Sequence, residues 1–137
     1  MKISSKGRYA VRIMSEIAKS PDTCVSVSEI AEKQNISLKY TEQIINKLVK
    51  NNLLLSFRGA QGGYKLTKKP SEYKISEILS VTGDTPQIAP CLKSEKRCPR
   101  IDSCDSIGCW ETLNKIIFDY LSHISLQDLL DKNYKHK

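Results

Sequence analysis

Apolar residues recur at helical spacing in three successive stretches of the first half of the chain. These stretches run from about Ser5 to Lys19, from about Val27 to Gln34, and from Leu38 to about Lys50. Only short polar segments separate them, and Pro21 and Asp22 end the first. Two short helices joined by a tight turn are typical of a helix-turn-helix motif.

Local capping signals support these boundaries. Ser26 followed by Glu29 fits a capping box at the start of the second helix. Asn35 suits the left-handed conformation that closes a helix, and Ser37 is a favourable cap for the next one. The apolar stripe of the third helix contains Tyr40, Ile44, Ile45, Leu48 and Val49. Its outward faces then carry Lys39, Glu42, Gln43, Asn46, Lys47 and Lys50.

A β-hairpin is predicted directly after the third helix. Two strand-like runs, Leu53 to Arg58 and Tyr64 to Lys68, flank the glycine-rich tip Gly59 to Gly63. A hairpin that follows a recognition helix is a wing. Arg58 at the tip suits a narrow minor groove, where negative potential concentrates.

The second half of the chain changes character. Pro70 is followed by a short apolar helix, Ile75 to Val81, which we expect to pack on the first helix. Residues 83–105, here called the cysteine loop, show no periodicity and contain prolines that exclude a regular helix. Trp110, Leu113, Ile116, Ile117, Tyr120, Leu121 and Ile124 then form a wide apolar stripe on a long helix. Ser125 can cap a short final helix that ends near Asp131.

These patterns predict a mostly α-helical fold with a small β-hairpin wing. The predicted divisions are a winged helix-turn-helix domain at 1–82, the cysteine loop at 83–105, helices at 106–131 and a polar tail at 132–137. The long helix has few evident partners within its own chain, so we expect it to form a homodimer. The alternative is that it folds onto its own winged domain.

The excess of basic over acidic residues lies entirely in the first half of the chain. Residues 1–69 contain 13 basic and five acidic side chains, whereas residues 70–137 contain nine and ten, within a total net charge of +7. Such asymmetry is expected when one module faces nucleic acid and the other does not. A basic face without any nucleic-acid role is the alternative.

Four of the five cysteines, Cys91, Cys98, Cys104 and Cys109, lie close together in the sequence. No signal peptide or membrane-spanning run is apparent, so a cytoplasmic location is expected, where thiols stay reduced. Clustered cysteines there favour metal ligation or redox sensing over disulfides. Their spacing lacks the Cys-x-x-Cys pairs typical of zinc sites and matches neither ferredoxin pattern. No catalytic motif is present, so we do not expect an enzyme.

Three stretches carry a resemblance to a known family: SSKGRYAVR at 4–12, ISLKYTEQI at 36–44 and RGAQGGYKL at 58–66. Together with three spaced cysteines ahead of Trp110, they resemble the bacterial winged-helix transcription regulators that include IscR, NsrR and CymR. The resemblance covers Met1 to about Leu130. It implies a homodimer that binds double-stranded DNA and, in sensing members, an iron-sulfur cluster held by the cysteine loop.

The resemblance also implies roles for single residues. Glu42 and Gln43 fall where IscR-like proteins contact base edges, and Arg58 falls at the wing arginine. Gln43 can pair with adenine and Glu42 with the cytosine amino group. Lys39 replaces the small hydroxyl residue expected there, so the preferred DNA sequence can differ. Lys6 and Arg8 are predicted phosphate contacts, which position a protein without reading sequence.

The cluster implied by the resemblance, of the 2Fe-2S or 4Fe-4S type, would take Cys91, Cys98 and Cys104 as ligands. The histidine expected three residues after the third cysteine is Ile107 here, and an apolar side chain cannot bind iron. Cys109, a group from the other subunit, or a small exogenous ligand remain as the fourth ligand. NsrR takes its fourth ligand from the other subunit, an aspartate near the N-terminus. This chain has Arg8 at that position, which disfavours a ligand from the other subunit. Cys109 is the preferred candidate.

Two functions from different classes therefore remain open. The preferred one is a DNA-binding transcription regulator, such as a repressor, whose cysteine-bound cluster reports cluster supply, iron, redox state or nitric oxide. The other is an interaction module whose cysteines hold zinc or become oxidised, with weak or no specific DNA binding.

Overall fold

The computed structural model describes residues 2–85, 87–93 and 98–135. Pro86 and residues 94–97 of the cysteine loop, and the last two residues of the polar tail, lie outside this part of the chain. The elements, in order, are α1 (Ser5–Ala18), α2 (Val27–Gln34), α3 (Leu38–Lys50), β1 (Leu54–Phe57), β2 (Gly63–Leu66), α4 (Ile75–Val81), α5 (Ile107–His123) and α6 (Leu126–Leu130). The predicted mostly α-helical fold with a β-hairpin is confirmed.

The ends of α2 and α3 follow the capping residues. The Ser26 hydroxyl accepts the backbone N–H of Glu29 at 3.2 Å, but the Glu29 carboxylate binds Lys33 at 2.8 Å, so only half of the predicted capping box forms. Asn35 closes α2 in the left-handed region with φ 53°, and Ser37 caps α3. Each serine satisfies one free amide at a helix start, and together with Asn35 the caps define the tight turn between the two helices.

The core forms around α1, which packs against α2, α3, α4, α6 and β2. Its inward face is completely buried at Ala10, Ile13 and Met14. The predicted stripe of α3 contributes Ile44, Ile45 and Leu48 to the same core, while Tyr40 and Val49 pack at its edge. The predicted packing of α4 on α1 is also present.

The wing is a two-stranded antiparallel hairpin in which Leu54 pairs with Leu66 and Phe57 with Gly63. It is not isolated, because Val25 and Tyr64 exchange two backbone hydrogen bonds of 3.0 and 2.9 Å. Gly63, at φ 148°, permits this approach, since a Cβ there would lie 2.6 Å from the Val25 carbonyl oxygen. The α1–α2 connection is therefore joined to the wing.

The C-terminal end of the chain returns to contact residues 1–82, here called the winged part. The Ile75 N–H donates to the Ile124 carbonyl and the Leu126 N–H to the Tyr73 carbonyl, each at 3.0 Å. The side chains of Ile124 and Leu126 are buried in the core. Ser125 caps α6 in a complete capping box with Asp128. Ile124, predicted to extend the stripe of the long helix, instead belongs to this junction.

A buried carboxylate joins α1 to α2. Glu16 is almost fully buried and accepts hydrogen bonds from Gln34 Nε2 at 2.7 Å and Lys19 Nζ at 3.1 Å. Lys33 Nζ lies 3.6 Å away, and Arg12 donates to the Gln34 side chain at 2.9 Å. Burial raises the pKa of Glu16, but these hydrogen bonds and the lysine charges outweigh burial and hold the pKa below its ordinary value.

We expect the Glu16→Gln variant to be less stable than the wild type by about 1–3 kcal/mol at neutral pH, since it weakens charge-assisted hydrogen bonds. A carboxyl group with a lowered folded-state pKa stabilises above its unfolded pKa, and this contribution disappears as the pH falls through the folded pKa. The difference between variant and wild type should therefore shrink below about pH 4.5, the group's ordinary value. Urea unfolding from pH 7 to pH 3 measures it.

The exposed α2 residue Glu32 offers a matched control. Glu32→Gln should change the free energy of unfolding by less than about 0.5 kcal/mol, as surface substitutions usually do. Equal losses in the two variants, or a Glu16→Gln loss independent of pH, would contradict the assigned network.

Candidate functional site

The polar face of α3 is exposed along its length. Lys39, Glu42 and Gln43 are all exposed, because Ile44 and the other apolar residues turn the opposite face into the core. Thr41, which the sequence analysis did not assign, is fully buried and donates to the Ser37 carbonyl at 2.9 Å. The predicted base-contacting side chains thus lie on the solvent-exposed face of α3, whose opposite face is packed in the core.

The wing presents Arg58 to solvent at the end of β1. The tip turns through Gly59, at φ 110°, and the Gly62 N–H donates to the Gly59 carbonyl at 2.9 Å. On the outer strand face, Lys65 Nζ lies 5.7 Å from the centre of the Phe57 ring. The wing therefore carries the exposed cation Arg58 next to a tip closed by a backbone hydrogen bond, while Lys65 is half-buried in β2.

The first turns of α1 contribute the remaining predicted contacts. Arg8 is exposed and its guanidinium donates to Ser5 Oγ at 3.1 Å, whereas Lys6 is half-buried. Arg12 is engaged within the protein, 5.2 Å from the centre of the Tyr9 ring and hydrogen-bonded to Gln34. The elements that carry the candidate contacts are in mutual contact, because α1 packs on α3 and β2 and α3 packs on β1.

The four clustered cysteines lie in different local structures, and Cys98 belongs to no helix or strand. Cys91 is in a 3₁₀ turn, Pro90–Leu92, and Cys104 directly follows another, Ile101–Ser103. Cys109 is in the first turn of α5. Cys91 and Cys98 are half-buried, whereas Cys104 and Cys109 are exposed, and all of these thiols are free.

The structure brings two of these cysteines to one place. Cys91 and Cys98 line an open cleft of about 470 Å³ together with Pro90 and Lys93. Within the described ranges, however, no group of three histidine, cysteine or acidic side chains could hold a metal ion. The donor types fit an iron-sulfur cluster, since free thiols are the ligands it requires, but the predicted ligand set is not gathered in this arrangement.

The Cys104 thiol accepts hydrogen bonds from the residues that follow it. Its Sγ lies 3.3 Å from Ser106 Oγ, and the backbone N–H groups of Ser106 and Ile107 also point to it. The hydrogen bonds from Ser106, followed by that from Ile107 and the charge of Arg100, outweigh the opposing effect of desolvation and lower the pKa of the Cys104 thiol. The thiolate is the form that binds metal and reacts with oxidants.

Two residues of the first turn of α5 bear on the predicted fourth ligand. Ile107 begins α5 and is half-buried, and its side chain offers no donor atom. The Cys109 thiol is exposed two residues later, and its backbone N–H donates to the Ser106 carbonyl at 3.1 Å. Cys24, outside the loop, is half-buried in the α1–α2 connection beside the wing tip.

A helix-turn-helix followed by a hairpin, with a basic outward face, defines a winged-helix DNA-binding protein. The sequence profile of the Rrf2 family, described as iron-dependent transcriptional regulators, matches residues 3–132. The chain belongs to the Rrf2 family. The resemblance drawn from the three sequence stretches is thereby confirmed.

Named relatives give the same result. The chain is 37% identical over 132 residues to the transcriptional regulator IscR of Photorhabdus laumondii, covering 96% of this chain and 80% of IscR. It is similar to the structure of T. potens IscR, with a TM-score of 0.77, 34% identity and 96% and 88% of the two chains covered. The match to CymR, the global cysteine regulator of B. subtilis, has a TM-score of 0.81, 31% identity and coverage of 96% and 98%.

These proteins are named as transcription regulators, which confirms the prediction that the chain is not an enzyme. In the part of the chain that the structure describes, no helix combines the length and apolar character needed to cross a membrane.

The environment of Cys104 leads to a prediction for the reduced, metal-free protein. Ser106→Ala should slow alkylation of Cys104 by iodoacetamide at pH 7, because loss of the hydroxyl hydrogen bond reduces the thiolate fraction. The difference should fade above about pH 9, the ordinary pKa of the thiol. Peptide mass spectrometry at timed intervals gives the rate at each cysteine.

Ser103 provides the control, since its hydroxyl donates to the Arg100 carbonyl at 3.3 Å rather than to the thiol. Ser103→Ala should leave the Cys104 rate unchanged. Equal rates in wild type and Ser106→Ala at pH 7 would show that Ser106 does not polarise the thiol.

Proposed function

We propose that this transcription regulator binds pseudo-palindromic operators in cytoplasmic DNA as a homodimer, and that an iron-sulfur cluster bound by the cysteine loop controls this binding. The observation that carries the proposal is the combination, in one chain, of an exposed basic reading face and four free thiols, three in the cysteine loop and one in the first turn of α5. Membership of a family described as iron-dependent regulators supports it.

Reading of DNA is assigned to three elements. Gln43 and Glu42 on α3 read base edges in the major groove, where Gln can pair with adenine and Glu can accept from cytosine. Lys39 on the same helix lies beside them, and Arg58 on the wing enters the minor groove. Lys6 and Arg8 on α1 hold phosphates. The exposure of five of these six side chains, with Lys6 half-buried, supports this division of roles.

Dimerisation is assigned to the exposed apolar face of α5. Trp110, Leu113 and Ile116 share one face and are each 40–51% exposed, and no residue of α5 is buried in the single chain. An apolar helix face of this extent is typical of an association surface. A two-fold dimer would place two recognition helices about one helical turn of DNA apart, which matches a pseudo-palindromic operator.

Cluster binding is assigned to Cys91, Cys98 and Cys104, with Cys109 as the preferred fourth ligand. When bound, the cluster would supply a centre whose presence and oxidation state respond to iron, oxygen or nitric oxide. The chain itself contributes the thiolates, and the lowered pKa of Cys104 favours the ligating form. Because α5 begins beside these cysteines and ends at the winged part, loop rearrangement has a direct route to the reading face.

We expect Gln43→Ala to reduce discrimination between operator and random DNA by about 1–3 kcal/mol for each base contact that it removes. The measurement is fluorescence anisotropy with a duplex that the wild type selects from a randomised pool, and with a random duplex of equal length. Lys6→Ala is the contrasting variant, since removal of a phosphate contact should weaken binding to both duplexes alike. Equal losses on both duplexes for Gln43→Ala would contradict its assignment to base reading.

Anaerobically purified protein is expected to be brown, with iron and sulfide in comparable amounts. The triple Cys91→Ala, Cys98→Ala, Cys104→Ala variant should be colourless, whereas Cys24→Ala, which removes the cysteine outside the loop, should keep its colour. If Cys109 is the fourth ligand, the cluster should be less stable in the Cys109→Ala variant than in the wild type. Adding Ile107→His to the Cys109→Ala variant should restore the stability of the cluster.

Two results would overturn this part of the proposal. Colourless protein with stoichiometric zinc would favour the alternative of a zinc-binding or thiol-redox interaction module. Equal operator affinity of the loaded and cluster-free protein would leave a DNA-binding protein without cluster control, since a ligand shifts a conformational equilibrium only if it distinguishes the two states.

A further inference from the structure

The first carboxylate of the cysteine loop faces the start of α1. Asp84 Oδ1 accepts the backbone N–H of Ser4 at 3.2 Å, and Oδ2 accepts the Ser4 hydroxyl at 2.6 Å. Thr82 Oγ1 donates to the same Oδ2 at 3.0 Å. Two of these bonds join residues 80 positions apart in the chain, so the beginning of the loop and the beginning of α1 are held together.

Ser4 is also the N-cap of α1. Its hydroxyl oxygen accepts the backbone N–H of Gly7 at 2.9 Å while its proton is donated to Asp84. Asp84 is therefore the outer member of a two-residue cap. A carboxylate at this end of a helix is further stabilised by the positive end of the helix dipole.

Gly7 provides the space that the carboxylate occupies. A Cβ at this position would lie 2.0 Å from Asp84 Oδ2 and 3.1 Å from Leu79 Cδ2. Glycine is unfavourable within a helix, so its place in the first turn of α1 requires a local reason. The close approach of Asp84 supplies that reason.

The carboxylate is also fixed from its own side. The Asp84 N–H donates to the Leu79 carbonyl, and the Gly83 N–H to the Ser80 carbonyl, both at 3.0 Å. Gly83, at φ 84°, makes the left-handed turn that ends α4. Asp84 is thus hydrogen-bonded to the end of α4 at the point where the cysteine loop begins.

Two predicted phosphate contacts lie in the turn that Asp84 holds. The Arg8 N–H donates to the Ser4 carbonyl at 3.0 Å, and its guanidinium is exposed. Burial raises the pKa of Asp84, but the hydrogen bonds from Ser4 and Thr82 and the charge of Lys6 outweigh burial and hold the pKa below its ordinary value. The carboxylate is therefore ionised at neutral pH.

We propose that Asp84 is a positioning residue for DNA binding, which fixes Lys6 and Arg8 in the geometry that holds phosphates and ties that geometry to the start of the cysteine loop. This inference rests on the proposed function, since it requires Lys6 or Arg8 to contact DNA. A loop rearrangement that withdraws Asp84 would release the first turn of α1 and weaken the hold on the phosphate backbone.

Asp84→Asn tests this proposal, because the loss of the charge and the loss of the positioning contacts should change DNA affinity in opposite directions. Removal of a negative charge near phosphates should by itself strengthen DNA binding. We expect the variant to bind about 3- to 10-fold more weakly at 0.15 M salt, with a salt slope smaller by about one for each phosphate that the variant no longer holds. Anisotropy titrations over a range of NaCl concentrations, with the wild-type-selected duplex, measure both quantities.

Gly7→Ala provides an independent variant, because it displaces the carboxylate while keeping every charge and favouring the helix. It should weaken binding and reduce the salt slope in the same way. Asp105→Asn is the charge control, since it removes one negative charge from an exposed position of the loop. It should bind as tightly as the wild type or slightly more tightly.

If Asp84 had only a structural role, Asp84→Asn would lower the stability of the protein without changing the salt slope of DNA binding by the folded protein. The titrations are therefore made under conditions in which circular dichroism shows that every variant is folded. In the Arg8→Ala background, Asp84→Asn should have a smaller effect than in the wild type. If Arg8→Ala weakens binding but Asp84→Asn and Gly7→Ala do not, the inference is overturned and the proposed function stands. If the wild type shows no salt-dependent DNA binding, or Arg8→Ala and Lys6→Ala leave it unchanged, both the phosphate assignment and the inference are overturned.

Discussion

Burial of α1 among elements from both ends of the chain is the constraint on which the rest of the structure depends. Its inward face lies completely buried against α2, α3, α4, α6 and the second strand of the wing. Burial of such apolar side chains is the dominant favourable term in folding. The recognition helix α3, the wing and α6 all pack on α1. A shift of α1 would therefore affect the position of each of them.

The local parts of this fold could be predicted from the sequence, because their signals lie within a few residues of one another. Ser37 and Asn35 marked the helix-turn-helix, and the glycine-rich tip marked the wing. The prediction of an exposed α3 face depended only on periodicity. The second half of the Ser26 capping box failed because Glu29 has a competing lysine, Lys33, one helical turn away.

Contacts between distant residues could not be predicted in this way. Nothing near Val25 indicates that it pairs with Tyr64, although Gly63 signals a close backbone approach. The contact of Asp84 with Ser4 joins residues that are 80 positions apart. Gly7, a glycine in the first turn of a helix, is a nearby sign that another group approaches α1 closely. The cysteine loop presents the same difficulty in a stronger form, since irregular backbone follows no period. Its three thiols and that of Cys109 are not gathered into a metal-binding group within the described residues.

The return of the C-terminus to the winged part bears on how the molecule can be dissected. The backbone bonds of Tyr73 and Ile75 with Leu126 and Ile124 mean that a fragment ending near residue 82 would lack part of its own interior. Such a truncation would leave backbone groups unsatisfied and one flank of α1 uncovered. The winged-helix part of the chain is therefore completed by residues that follow the cysteine loop, which makes the loop an internal segment of one folded unit rather than an appendage.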